Sequence, residues 1–136
     1  MTGNEILGID IGGVIAKGGN KIFTDQFLKS PQMDGAFDAI RLLVNKRFGS
    51  NTYLVSKCGE EMQKKTHSWF SHHRFYDKTG IPASHVWFCL QRHEKAGICE
   101  KLGITHFIDD RLEILGYLED VVRYRYLFQP KPNEVK

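Results

Sequence analysis

Ile6-Leu7-Gly8-Ile9-Asp10-Ile11-Gly12-Gly13-Val14-Ile15 is an apolar run that closes on one carboxylate and then turns on two glycines. A run this apolar, so near the amino terminus, reads as a buried central strand. Asp10 then stands at the strand's carboxyl end, the edge where open α/β sheets hold their ligands. A charge there is costly unless a metal, hydrogen bonds or a reaction employ it. Two residues further on stands Gly12, not a second acid.

Beyond that stretch, strand-like and helix-like segments alternate. Gly18-Gly19-Asn20 has the composition of a hairpin turn between Val14-Ile15-Ala16 and Ile22-Phe23. Asp34 is placed to cap a helix reaching about Arg47, with Phe37, Ile40, Leu43 and Val44 on one face. Thr52-Tyr53-Leu54-Val55 reads as a second strand that stops at Ser56, and a long helix follows from about Glu60 to Tyr76. Val86 to Leu90 is a third strand, His93 to Leu102 a helix, and His106-Phe107-Ile108 a fourth strand running into Asp109-Asp110. A short helix over Leu112 to Leu118 and a fifth strand within Val121 to Phe128 complete the pattern. A proline-bearing tail, residues 128–136, follows. Such alternation predicts a single α/β domain over residues 1–136, a doubly wound parallel sheet of about five strands with helices on both faces.

Composition narrows the class. In 136 residues, 41% hydrophobic and 26% charged, one domain can bury a core without staples. A formal charge of +3 spread along the chain argues against nucleic acid. Cys58, Cys89 and Cys99 have no framework spacing, which predicts reduced thiols and a cytoplasmic protein. No signal peptide and no membrane span is expected. His67, His72 and His73 lack the spacing that sets two ligands on one helix face, and Trp69, Phe70 and Phe75 read as packing.

In a parallel sheet, strand ends of one polarity share an edge, so Asp10, Ser56 and Asp109-Asp110 are expected to converge. Carboxylates brought together need a cation, and hard oxygen ligands suit Mg²⁺. A hydroxyl and a lysine beside them suit phosphate oxygens, with Lys95 opening the helix that leads to the Asp109 strand. Together these predict phosphoryl transfer to Asp10 as nucleophile. Taken singly, Ser56 could be a helix cap, Lys57 or Lys101 could stand in for Lys95, and Asp109-Asp110-Arg111 could open a helix.

In the order of these motifs the chain resembles the haloacid dehalogenase superfamily of phosphohydrolases, over roughly residues 6–128. Ile9-Asp10-Ile11-Gly12-Gly13-Val14 looks like its first motif, Leu54-Val55-Ser56 its second, Lys95 its third and Phe107-Ile108-Asp109-Asp110 its fourth. The resemblance implies Asp10 as nucleophile and Ser56 and Lys95 as phosphate ligands, beside the glycines Gly12 and Gly13. It also implies Mg²⁺ held by Asp10, the Gly12 carbonyl, Asp109 and Asp110. The family's phosphatases carry a second Asp at position 12, which protonates the leaving group and then activates water. Loss of such a group costs about 10²–10⁴-fold in rate. The expectation is therefore a weak Mg²⁺-dependent phosphohydrolase, or a degenerate domain that binds a phosphorylated ligand or protein without turnover.

No segment is long enough for a cap domain. Capless members of that superfamily act on large substrates or borrow a partner, which implies a phosphorylated small molecule or macromolecular phosphate. It also implies a homo-oligomer or protein partner that closes the site. Asp10-Ile11-Gly12-Gly13 also resembles the phosphate loop of the sugar-kinase and actin-like ATPases. That fold needs two domains and gives no reason for Asp109-Asp110.

Overall fold

Five short segments rich in apolar residues form the sheet, and period-two alternation along them decides what each face carries. The strands are β1 (Leu7–Ile9), β2 (Thr52–Lys57), β3 (Val86–Cys89), β4 (His106–Asp109) and β5 (Tyr124–Leu127). The helices are α1 (Ala36–Leu43), α2 (Glu60–His72), α3 (Phe75–Thr79), α4 (Glu94–Leu102) and α5 (Leu112–Tyr117). The computed structural model describes residues 4–17 and 27–128. All the pairings are parallel, in the order β3-β2-β1-β4-β5, with Ile9 level with Leu54 on one side and Ile108 on the other. The chain thus winds outward from β1 to β3, returns to the opposite side of β1 as β4, and continues to β5. The direction reverses between β1 and β4, which makes the crevice outside their carboxyl ends the expected ligand position.

Leu7, Ile9 and Leu54 pack into one layer with Phe37, Ile40, Trp69, Phe70 and Phe75 of α1 to α3. Val55 and Phe107 point the other way, into Cys99 of α4 and Ile114 and Leu115 of α5. Burying each of these large side chains contributes about 1.5–3 kcal/mol, so the two layers hold the sheet between them. Gly8 stands on the α4–α5 face because Phe107 lies over it. A Cβ there would sit 2.6 Å from Phe107 Cδ1.

Four local expectations need correction. Val14-Ile15-Ala16 is not the first strand of a hairpin. β1 ends at Ile9, and Ile11 to Ala16 form a tight turn in which the Ile11 carbonyl accepts from Ile15 and Ala16. Those residues are apolar because the turn is buried. The proposed hairpin at Gly18-Gly19-Asn20 lies outside the described residues. Ala16 instead bridges Gln32. Asp34 does not cap α1, whose N-cap is Gly35 in the left-handed region at φ 72. Gln32 Oε1 takes the capping role, accepting from Phe37 N at 2.9 Å. The long helix breaks at Arg74, φ 57, into α2 and α3, and α1 runs on as a wider π turn over Val44–Phe48. Finally, the fifth strand is shorter than the apolar segment, because Val121 and Val122 belong to a turn closed on the Leu118 carbonyl. Among the described residues, no helix is long and apolar enough to cross a membrane, and no cap domain covers the sheet edge.

Candidate functional site

The end of β1 is stitched to β4 by the Asp10 amide, which donates to the Ile108 carbonyl at 3.0 Å. That bond brings Asp10 beside Asp109, the last residue of β4. The loop from β3 to α4 is fixed by Glu94, whose Oε1 accepts from Leu90 N at 3.1 Å and Gln91 N at 2.7 Å. Arg92 ties the same loop to Glu113 of α5 at 2.7 Å. α4 therefore begins at a set height above the crevice and delivers Lys95, in its first turn, to the two carboxylates.

Lys95 Nζ donates to Asp10 Oδ1 at 2.9 Å and to Asp109 Oδ2 at 3.0 Å. All three side chains are buried, Lys95 to 2% exposure and Asp109 to 0%. The ammonium also lies 5.6 Å from the centre of the Phe107 ring. Asp109 Oδ1 accepts from the Arg111 amide at 3.0 Å, so both oxygens of that carboxylate are engaged. Asp110 is half-buried and completes a group of three carboxylates whose nearest oxygens lie within 4.8 Å of one another. Gly13, at φ 80, leaves the space that the Asp110 carboxylate fills, and any Cβ there would collide with it.

The electrostatics follow from two buried acids sharing the Lys95 ammonium, with Asp110 beside them under the pull of Arg111. Burial pushes the Asp10 carboxyl above its ordinary range; Lys95 opposes that rise and Asp110 adds to it. Asp109 is raised by burial and by Asp10, against the pull of Lys95. Asp110 is raised by burial and by Asp109, against the pull of Arg111. Burial alone would lower Lys95, but Asp10 and Asp109 together outweigh it and hold the ammonium above its usual value. The cluster is short of positive charge. Its donors are hard oxygens, a set whose chemistry suits a divalent cation such as Mg²⁺.

The other positions singled out in sequence fall as follows. Ser56 is buried near the end of β2, two residues beyond the Leu54–Ile9 pair, and so reaches the same edge. Gly12 is exposed on the turn, with nothing within 4 Å of where a Cβ would stand. Of the competing lysines, Lys57 is exposed and Lys101 lies over the Trp87 ring at 5.3 Å, away from the carboxylates. The histidines of α2 make structural contacts. His73 Nε2 meets the Leu28 carbonyl at 2.8 Å and His67 Nδ1 meets Tyr76 Oη at 3.1 Å. Cys58, Cys89 and Cys99 are free thiols pushed up by burial, Cys99 to about 12.

Sequence reading missed a second polar cluster at the opposite edge. Arg47, on the π turn, forks onto Glu5 at 2.8 and 2.6 Å and approaches His106 Nε2 at 3.3 Å. His106 Nδ1 bonds Thr105 Oγ1 at 2.7 Å, while that hydroxyl donates to the Ile6 carbonyl. With the hydroxyl proton so used, Nδ1 must donate, and Nε2 is left to accept from Arg47. The one signal available in the sequence was a histidine opening an apolar strand. The cluster borders an open pocket of about 280 Å³ between α1 and the β4–β5 half of the sheet.

No protein-family model matches the chain, and no curated protein matches it in sequence. Its structure is similar to the crystal structure of a protein from Burkholderia xenovorans LB400 provisionally assigned as a haloacid dehalogenase-like hydrolase. The TM-score is 0.65 and the identity 13%, with 98% of this chain and 89% of that one covered. The fold of this chain is therefore the Rossmann-like fold of haloacid dehalogenase-like proteins.

Proposed function

We propose that this chain is a Mg²⁺-dependent phosphohydrolase that uses Asp10 as its nucleophile and turns over phosphate monoesters slowly. The observation that carries the reading is Lys95 bridging Asp10 and Asp109 at the β1/β4 crevice, with Asp110 beside them. Asp10, Asp109, Asp110 and the Gly12 carbonyl would hold the ion, which when bound offsets the negative charge of carboxylates and phosphate alike. Lys95 fixes Asp10 Oδ1 and so orients the carboxylate, leaving Oδ2 as the attacking oxygen. Ser56 and Lys95 hold phosphate oxygens in this reading, and Asp110 orients the water that later releases phosphate. Gly12 can neither protonate a leaving alkoxide nor deprotonate that water, which removes about 10²–10⁴-fold in rate. The same glycine supports a second reading, a domain that binds a phosphorylated ligand or protein without turnover.

The test is phosphate release from a panel of phosphate monoesters, with MgCl₂ and with EDTA in its place, using the wild-type chain and Asp10→Asn. Slow release that needs Mg²⁺ and vanishes in Asp10→Asn is the expected result. Equal traces from both proteins would refute the nucleophile and leave the binding reading.

A further inference from the structure

Successive side chains of β4 point to opposite faces of the sheet. Phe107 and Asp109 turn toward α4, whereas His106 and Ile108 turn toward α1 and, with Leu7, floor the open pocket of about 280 Å³. Leu43 and Phe48 line that pocket from α1 and the π turn, Tyr126 lines it from β5, and Arg47 completes it. The pocket and the carboxylate crevice therefore lie on opposite faces of one strand. We infer that this pocket binds a small planar aromatic carboxylate, with its ring against Tyr126 and its carboxylate on Arg47.

Size, flatness and charge each narrow the ligand. Pockets for drug-sized ligands begin at about 300 Å³, so this one takes a single compact ring system. The Tyr126 ring lies within 11° of parallel to the His106 ring, with 6.2 Å between centres, and the Tyr124 ring stacks on the same imidazole at 4.6 Å. Tyr126 stays half exposed, which leaves part of its ring open to another ring. Aromatic surfaces gain more from such a partner than from burial alone. The charge comes from Arg47. Glu5 occupies its Nε and Nη2, and Nη2 also donates to His106 Nε2, but Nη1 meets no acceptor among the described residues. Beside that group Arg123 adds a second guanidinium, 5.3 Å from the centre of the Tyr124 ring. A single nitrogen suits a singly charged carboxylate. A phosphate dianion takes the forked pair of nitrogens that Glu5 already holds.

The experiment titrates the whole chain with cinnamate and reads affinity and stoichiometry by calorimetry. EDTA is present, so that no divalent ion recruits the probe to Asp10. One site is expected. Cinnamamide, which has the same shape without the charge, should bind about tenfold more weakly, and so should the analogue of cinnamate with a saturated ring. Arg47→Met should remove the preference for the acid over the amide. Tyr126→Leu should weaken cinnamate about two- to tenfold. Tyr117→Leu, at a similarly exposed tyrosine on α5, should change nothing. Should Arg47→Met fail to fold, the acid-against-amide comparison on the wild-type chain and Tyr126→Leu decide the matter. No binding at millimolar cinnamate, an amide or saturated analogue bound as tightly as the acid, or an affinity unchanged in Tyr126→Leu would overturn the inference. So would an equal loss in Tyr117→Leu, the mark of adsorption to exposed tyrosines in general.

Discussion

The two ends of the sheet carry the same ingredients arranged to opposite purpose. At the amino edge, Glu5, Arg47 and His106 form a group in which one acid meets one guanidinium, with the ion pair open to solvent. At the carboxyl edge, three acids cluster, two of them bridged by a buried ammonium and the third under the pull of Arg111. The first group is balanced in charge, one carboxylate against one guanidinium. The second is left with surplus negative charge in a crevice, an arrangement that costs folding energy and is relieved by a cation. Surplus charge that burial does not quench is what separates a reactive edge from a structural one.

Removing the buried ammonium should have the largest effect. Lys95→Met leaves Asp10 and Asp109 buried without their cationic partner, and breaking a buried pair this way costs about 3–5 kcal/mol. Thermal unfolding without divalent ions should show that loss. Lowering the pH should recover part of it, because both carboxyls are already held above their usual range by burial. An acid whose folded value lies above its unfolded value gains stability as pH falls. A Lys95→Met chain as stable as wild type at neutral pH would show that the two edges do not differ as described.

Next in size is Gly8→Ala. The new methyl would meet the buried Phe107 ring at 2.6 Å and Ile104 Cδ1 at 2.9 Å. Overpacking of this kind costs about 1–3 kcal/mol. Phe107 also supports the Lys95 ammonium, so denaturant titration should show lost stability together with weaker Mg²⁺ binding. Lost stability with unchanged Mg²⁺ affinity would separate the packing from the site.

The smallest effect belongs to Glu5→Gln at the amino edge. The hydrogen bond from Arg47 holds the Glu5 carboxyl below its ordinary value of 4.5. Its contribution is therefore present above that pH and lost as the pH falls through the lowered folded value. Exposed pairs of this kind are screened by solvent. The variant should flatten the acid limb of the wild-type stability curve slightly and leave Mg²⁺ binding untouched. An effect as large as that of Lys95→Met would mean the amino edge is no mere brace.

The carboxyl edge was far more legible in the sequence than the amino edge, for a physical reason. Asp10 and Asp109 each follow an apolar strand directly, and parallel topology then forces them together whatever their separation in the chain. Lys95 could be favoured over Lys57 and Lys101 only through the resemblance, because local sequence does not say which lysine α4 turns inward. Glu5, Arg47 and His106 meet through tertiary packing alone, with no motif to announce them. The break at Arg74 was equally silent, since a left-handed residue there is neither glycine nor asparagine. Val14-Ile15-Ala16 misled by being apolar, because its hydrophobicity serves a buried turn that composition does not distinguish from a hairpin strand.

The most direct test of the surplus charge at the carboxyl edge is the shift in unfolding temperature caused by Mg²⁺ in the wild-type chain and in Asp109→Asn. A ligand that binds only the folded state stabilises it by mass action. The account expects the wild-type midpoint to rise with Mg²⁺ concentration and that of Asp109→Asn to stay where it is. A wild-type chain indifferent to Mg²⁺, or a variant that responds just as strongly, would contradict it.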